Sequence, residues 1–276
     1  MAAMGTLYVV ATPIGNLEDI SQRALRILSE VRLIAAEDTR HSVKLLRHFA
    51  VNTPTLSYYD HNKEAREAEI LAALDGGDVA LISDAGTPGI SDPGHELVSA
   101  AWDAGHRVVP VPGPSAVLSA LVASGLPPAP FLFLGYLPRS SKARRELLTA
   151  HARDPWTLVA YEVPHRIVDA MDDLEVALGG DRPIAVCREL TKLHEEIMRG
   201  LIHQLRESVD ETEARGEYTL VIGGAESEPR WSEAIVRAAV QERLEHGGRP
   251  SSVAREVAKL AGWNRRDVYQ LTLEDL

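Results

Sequence analysis

Between residues 6 and 224 short apolar, β-branched runs alternate with stretches of helical periodicity. That alternation constrains the chain more than any other feature, because it selects an α/β architecture. Strands are expected at TLYVVA (6–11), LIAAE (33–37), TLSY (55–58), VALIS (79–83) and RVVPV (107–111). Between them Ala24, Ile27, Leu28 and Val31 form one apolar helical stripe over 21–31, and Val43, Leu46 and Phe49 or Ala50 repeat it over 41–50. Further helices are expected at 62–75 and 94–104, and PGPSAVLSALVASG reads as a turn feeding a helix that ends at Gly125.

The segment GLPPAP (125–130) carries three prolines in six residues and reads as the boundary between two α/β domains, 1–124 and 131–224. The second set comprises FLFLG (131–135), a helix over 141–151, WTLVAY (156–161), a helix after Pro164 and PIAVC (183–187). It continues with a strand near 195–199, a helix at 201–214 and the strand YTLVIGG (218–224), and the acidic AESEPR (225–230) closes it. Residues 231–276 are helical throughout in pattern. One helix stops at Gly247-Gly248, a second has Ser251 or Ser252 as N-cap and Gly262 as C-cap, and NRRDVYQLTLEDL begins a third. Such a set suits a helix-turn-helix-like appendage.

A net charge of −11 argues against a protein that coats nucleic acid non-specifically, since phosphate contacts need concentrated positive charge. Two local basic patches remain. Arg40, Lys44 and Arg47 share one helical face, and PRSSKARRE holds Arg139, Lys142, Arg144 and Arg145 against Glu146 alone. The lone Cys187 excludes an intrachain disulfide and, within PIAVC, reads as a buried, inert thiol. No run approaches the ~20 apolar residues of a membrane span, and the start lacks the basic end of a signal peptide. A soluble cytoplasmic protein is the expectation.

Small and turn-forming residues cluster at the C-terminal ends of expected strands, the edge where open α/β sheets bind ligands. Three clusters stand out: Ala11-Thr12-Pro13-Ile14-Gly15-Asn16 after the first strand, Ser83 to Gly94 after VALIS, and Pro112-Gly113-Pro114-Ser115-Ala116 after RVVPV. Each alone is an ordinary turn; three on one domain point to a small-molecule pocket. The P-loop and the G-x-G-x-x-G dinucleotide turn are both missing, and neither the ten histidines nor the cysteine has metal-ligand spacing. From the residues alone the reading stops at an α/β enzyme with a loop-rich site.

The segments LYVVATPIGNLEDIS, AAEDTRHSVKLL, LISDAGTPGISDPG, VPGPSA, FLGYLPR, YEVPHRI, CRELTKLHEE and RGEYTLVI, in that order, resemble the tetrapyrrole-methylase superfamily over nearly the whole chain. Within it the chain is similar to the ribosomal RNA small-subunit methyltransferases. The superfamily's usual G-x-G-x-G first loop is partly replaced by Ala11, Thr12 and Pro13, as is typical of that branch. The resemblance implies two αβα domains with S-adenosylmethionine in the cleft between them, plus the helical appendage. Carried over by motif, the cofactor contacts fall on Pro13, Ile14 and Gly15, on Thr87 and Ile90 with Asp84, Gly86 and Ser91 close by, and on Ser115 and Ala116. Tyr161 and a residue near Glu217 would close over the adenosine. It further implies a homodimer, and a substrate cytidine in the decoding region of 16S ribosomal RNA, within the small ribosomal subunit.

Methyl transfer to a ribose 2′-hydroxyl requires alignment and benefits from a proton acceptor. Glu37 and Asp38, at a strand end, are the candidates. Asp38 is alternatively a helix N-cap, and Glu162 is a second possible acceptor whose competing reading is an Arg-paired carboxylate. Arg40, His165, Arg166, Arg188 and Lys192 are candidate phosphate contacts, the last two competing with ion pairing to Glu189. Tyr58 and Tyr59 could stack on a flipped base or belong to the core. The rival readings are a methyltransferase acting on a tetrapyrrole or a modified histidine, and a non-catalytic S-adenosylmethionine-binding protein.

Overall fold

The computed structural model describes residues 4–59, 62–209, 215–225 and 231–274. Strands β1 (Thr6–Val10), β2 (Leu33–Ala36), β3 (Thr55–Ser57), β4 (Val79–Ile82) and β5 (Arg107–Val111) form a parallel sheet in the order β3-β2-β4-β1-β5. Strands buried on both faces should be apolar at every position, and β4 is. Its Ala80 and Ile82 join Ala24, Ile27 and Leu28 of α1 (Gln22–Glu30) and Leu46 of α2 (Thr39–His48) on one face. Its Val79 and Leu81 join Ile70 and Leu74 of α3 (Lys63–Leu74) and Leu97 and Ala101 of α4 (His95–Asp103) on the other. The expected stripe of α1 is buried in full, Val31 included.

A fifth helix, α5 (Ala116–Ser124), is capped by the Ser115 side chain and ends at Gly125 in the left-handed conformation. The proline-rich segment 125–130 then leads to the second sheet. It comprises β6 (Phe131–Tyr136), β7 (Thr157–Glu162), β8 (Pro183–Arg188), β9 (Glu196–Leu201) and β10 (Tyr218–Ile222), ordered β6-β7-β10-β8-β9. Only β6 and β7 are parallel; β10 runs antiparallel to β7 and β8, as does β9 to β8. Helices α6 (Ser141–Ala150), α7 (Ile167–Leu178) and α8 (Ile202–Ser208) cover one face through Leu148, Met171, Leu174 and Ile202. The other face packs Val159, Ala185, Cys187 and Val221 against Val117, Ala120 and Leu121 of α5 and against Ile14. Burying each large apolar side chain here contributes about 1.5–3 kcal/mol, so this shared core fastens the two sheets together. Cys187 lies wholly within it, and burial pushes its thiol up to about 11.

The chain forms two compact units, Met1–Ala152 with Trp156–Gly223, and Arg153–Pro155 with Gly224–Leu276. The second contains α9 (Glu233–Glu245), α10 (Pro250–Ala261) and α11 (Arg265–Glu274), closed on a core of Val236, Val240, Val253, Val257, Val268 and Leu271. Gly262 ends α10 in the left-handed conformation, as expected. Neither Ser251 nor Ser252 is the N-cap, however: α10 starts at Pro250, which needs no N–H partner in the first turn, and Arg249 precedes it. The helix expected over 201–214 is described only as Ile202–Ser208; residues 210–214, and 226–230 of the expected acidic boundary, lie outside the described residues. No helix among the described residues is long and apolar enough to cross a membrane.

Candidate active site

Loops leave the C-terminal ends of four neighbouring strands, β2, β4, β1 and β5, along one edge of the parallel sheet. Backbone hydrogen bonds lock the first two glycine-containing loops together. Thr12 N–H donates to Gly86 O at 2.8 Å, Gly86 N–H returns to Thr12 O at 3.0 Å, and the Thr12 hydroxyl donates to Ser83 O at 3.1 Å. Thr87 Oγ1 donates to Pro114 O at 3.3 Å and ties in the third loop. Gly86 has φ +78°, a backbone conformation that side-chain-bearing residues rarely adopt. Ser91 holds φ +63°, a strained conformation for a residue with a side chain.

The loop between β8 and β9 meets this edge at Gly15. A Cβ there would stand 2.3 Å from Lys192 Cγ and 2.9 Å from Thr191 Oγ1, so only glycine allows the approach. Lys192 Nζ in turn donates to Glu189 at 2.8 Å and Glu217 at 3.1 Å.

Two adjoining cavities result, sharing Ile14, Asp84, Ala85 and Glu217. The first, about 260 Å³, is walled by the three loops on one side and by Tyr136, Tyr161, Glu162 and Glu217 on the other. The Tyr161 ring packs edge-on to Phe133 and tilted against Tyr136, with centroids 5.1 and 5.3 Å away. Five carboxylates face this cavity, from Glu37, Asp84, Asp92, Glu162 and Glu217, and among the described residues no Lys, Arg or His lines it. Burial pushes the Asp92 carboxyl up to about 7, and the charges of Glu37, Asp84 and Glu217 add to the rise against a hydrogen bond with Ser83. Burial also raises Glu162, although Val163 N–H and the Arg166 guanidinium pull the other way. The second cavity, about 450 Å³, adds His41, Lys44, His48 and Lys192 to the shared Asp84 and Glu217, with Pro13 and Gly15 beside them.

An apolar and aromatic slot with exposed backbone groups and several carboxylates on its wall suits a nucleoside that carries positive charge. S-adenosylmethionine, a cationic sulfonium nucleoside, fits those requirements. The carboxylates are spread around the wall: among the described residues no group of three or more His, Cys, Asp or Glu could hold a metal ion.

All the residues expected around the cofactor line one or both cavities: Pro13 and Gly15 the second, Ile14, Asp84 and Glu217 both, and Gly86, Thr87, Ile90, Ser91, Ser115, Ala116 and Tyr161 the first. Glu37 faces the first cavity and a shallow recess beside it, which it shares with Asp38, Arg40 and Tyr59. Asp38 is committed elsewhere. It caps α2 by accepting from Arg40 N–H at 2.8 Å and pairs with the Arg40 guanidinium at 2.7 Å, which holds its carboxyl near 2. A carboxylate so engaged is a poor proton acceptor, so of the two readings of Asp38 the structure favours the N-cap over the acceptor. Glu162 Oε1 is paired with Arg166 at 2.6 Å, while its buried Oε2 has no hydrogen-bond partner.

Among the expected RNA contacts, Arg40, Lys44, Arg47, Arg139, Lys142 and His165 are exposed. Arg144 is not. Its side chain is 2% exposed and pairs with Asp173 at 2.5 Å, also taking Pro138 O as acceptor, so it serves the interior and cannot reach RNA. Arg145 is half-exposed but pairs with the same carboxylate. Arg166, mostly buried, is bound to Glu162 and Leu137 O; Arg188 pairs with Glu196 at 3.5 Å; and Lys192 is held by two carboxylates. Tyr58 is fully buried in the core, which removes it from base stacking; Tyr59 remains partly exposed.

Sequence reasoning did not single out Asp92, Tyr136, His41 or His48. Asp92 stood inside a recognised loop, but loop residues have no periodicity that tells inward from outward. Tyr136 is aimed by an irregularity: the β6–β7 register shifts between Phe133 and Tyr136, beside Gly135 at φ +69°.

The family described as Tetrapyrrole (Corrin/Porphyrin) Methylases matches residues 6–206. The chain is 46% identical over 274 residues to the ribosomal RNA small subunit methyltransferase I of Synechocystis sp., covering 98% of each chain. To the protein of the same name from Escherichia coli O157:H7 it is 42% identical, covering 99% of this chain and 96% of that one. The uroporphyrin-III C-methyltransferase of Thermus thermophilus, solved in complex with S-adenyl homocysteine, superposes with a TM-score of 0.54 at 23% identity. It covers 79% of this chain and 97% of its own. The likeness to that last structure is one of fold.

Proposed function

The chain belongs to the tetrapyrrole-methylase family and, within it, to the ribosomal RNA small subunit methyltransferases I, and on that premise we propose how its site works. It is an S-adenosylmethionine-dependent methyltransferase of 16S ribosomal RNA, and the acceptor is the 2′-hydroxyl of a cytidine in the decoding region. The observation that carries this reading is the pair of adjoining cavities that share Ile14, Asp84, Ala85 and Glu217, one walled by the three loops and two tyrosines, the other reaching Lys44 and Lys192.

When bound, S-adenosylmethionine supplies an electrophilic methyl on a cationic sulfur. The protein's part is placement. The locked loops offer backbone groups to the adenosine through Ile14, Gly86, Thr87, Ile90 and Ala116, with Pro13, Gly15 and Ser115 shaping the turns. Tyr161 flanks the nucleoside with its ring. Lys44, with Arg40 and Arg47 exposed on the same helix, takes the phosphates beside the target nucleotide. Glu37, at the end of β2 and open to the first cavity, accepts a hydrogen bond from the ribose hydroxyl and orients it for in-line attack. The residues 1–124 and 131–224 act as two walls of one site, the helical unit at 231–274 serves as an appendage, and the protein works as a cytoplasmic homodimer on the small ribosomal subunit.

Labelled methyl transfer to small subunits from cells lacking this enzyme tests the reading. Label recovered in 2′-O-methylcytidine supports it; cofactor binding without label in RNA overturns it.

A further inference from the structure

The helical unit at 231–274 divides its cations into two sets. Arg237 pairs with Glu233 at 2.9 Å, and Arg243 pairs with Glu256 at 3.1 Å. Arg255 and Lys259 of α10 and Arg265 and Arg266 of α11 are different. All four are exposed, and among the described residues none of their side chains has a hydrogen bond or an ion pair. Arg255 and Lys259 stand four residues apart, so they share one helical face.

Local chemistry brings the second pair close to the first. Gly262 ends α10 at φ +65°, and two residues later Asn264 opens α11. The Asn264 side chain accepts from Arg266 N–H at 2.9 Å, and its carbonyl accepts from Asp267 N–H at 3.1 Å. Trp263 Nε1 donates to Trp231 O at 2.8 Å and fixes the turn to the chain entering α9. Val257, Ala258, Val268 and Leu271 are buried between the helices. The first turns of α11 therefore present Arg265, Arg266, Tyr269 and Gln270 outward, with Asp267 at the positive helix end that favours an acid. A tight turn between a cationic helix and one opening on Arg, Tyr and Gln is the arrangement that sets two helices against a nucleic-acid backbone.

We propose that Arg255, Lys259, Arg265 and Arg266 grip the phosphate backbone of double-helical 16S ribosomal RNA, in a unit that contributes nothing to the two cavities. This rests on the chain's acting on that RNA. In a chain of net charge −11, four neighbouring cations without acidic partners call for a polyanion from outside. Side chains cannot read the deep, narrow major groove of an RNA duplex, so the grip follows backbone shape and not sequence. Such contacts are the same before and during methyl transfer, and so lower KM without raising kcat.

The test uses the full chain, small ribosomal subunits from cells lacking the enzyme, and a range of salt. Changing Arg255, Lys259, Arg265 and Arg266 together to Ala should weaken subunit binding about tenfold or more at about 0.15 M salt. The log–log salt slope should fall by about two to three, since each phosphate contact contributes about 0.7–0.9. KM for subunits should rise, with kcat and S-adenosylmethionine affinity unchanged. Arg255→Lys/Arg265→Lys/Arg266→Lys, which keeps the charge, should retain most of the binding. Should the alanine protein fail to fold, Arg255→Ala/Lys259→Ala and Arg265→Ala/Arg266→Ala carry the test separately, each with about half the change in slope. Duplex RNA should displace subunits at lower concentration than duplex DNA of the same sequence.

Unchanged affinity and salt slope, or a loss of S-adenosylmethionine affinity equal to the loss of subunit binding, would overturn the grip while leaving the methyltransferase reading intact. Competition by DNA as strong as by RNA would overturn the assignment to RNA. Wild-type protein that transfers no methyl to RNA would overturn the reading on which the grip rests.

Discussion

The two walls of the site are made of different material. The parallel-sheet wall is backbone: small residues at strand ends, locked by the Thr12–Gly86 bridge and the Thr87–Pro114 hydrogen bond. The opposing wall is side chain: Tyr136, Tyr161, Glu162, Glu217 and Lys192, projected from a mixed sheet whose strands are mostly antiparallel. Backbone donors at the ends of parallel strands are fixed by the fold and suit a constant ligand such as a nucleoside. Side chains held by ion pairs and a β-bulge can be retuned without rebuilding the sheet. On the proposed function the first wall sets which cofactor binds, and the second sets the electrostatics of the chemistry.

The largest effect should come from behind the second wall. Arg144→Ala leaves the Asp173 carboxylate buried beside Ser141 with only the half-exposed Arg145 as a cation, and should cost about 3–5 kcal/mol of unfolding free energy in denaturant titrations. RNA affinity of the folded fraction should be unchanged; a stable variant with weakened RNA binding would return Arg144 to the interface. Asp173 is held below the ordinary carboxylate range, because hydrogen bonds from Arg145, Ser141 and Arg144 outweigh its burial. Its stabilisation is therefore present at neutral pH and lost as the pH falls through its lowered value.

A smaller loss should follow from Gly86→Val in the first wall, which forces a β-branched residue to φ +78° and costs about 1–3 kcal/mol. S-adenosylmethionine affinity, measured by calorimetry, should fall much further than for any single substitution among the aromatic side chains opposite. If Tyr161→Ala proves the more damaging to binding, the division of labour between the walls is wrong.

Lys44→Ala should weaken binding to small subunits by a few fold and lower the salt dependence by about one ion equivalent, without changing donor affinity. The subtlest effect belongs to Asp92→Asn. An unfolded Asp ionises near 3.8 and this one only near 7, so the fold is penalised increasingly as pH rises between the two values, and fully above them. The variant should therefore melt at a higher temperature than wild type at pH 8, with the difference fading toward pH 4. A difference that grows toward acid would contradict the raised carboxyl.

What the sequence made legible follows the same division. Each of the ten strands was foreseen within two residues at either end, because β-branched runs and glycine-proline punctuation mark them locally. The loops carrying Ile14, Gly86, Thr87 and Ser115 were visible for the same reason. Asp38 was left between acid and cap, and Arg144 was misread. A short polar residue before a helix reads alike as acid or cap until its hydrogen bonds are seen, and an arginine in a basic run gives no sign of a buried aspartate 29 positions away. Ser251 and Ser252 lie inside the helix because Pro250 takes its first position and Arg249 the cap, a local preference of proline that was open to reading. Asp92 and Tyr136 could not have been placed, since their roles depend on the facing sheet.

On the proposed function the three locked loops and the tyrosine-carboxylate wall enclose the methyl donor. Amide hydrogen exchange with and without S-adenosylmethionine tests it most directly. Slowed exchange confined to residues 12–16, 84–92, 115–119 and 217–219 is the predicted result. Protection elsewhere in the chain, with these segments unchanged while the donor is bound, would contradict it.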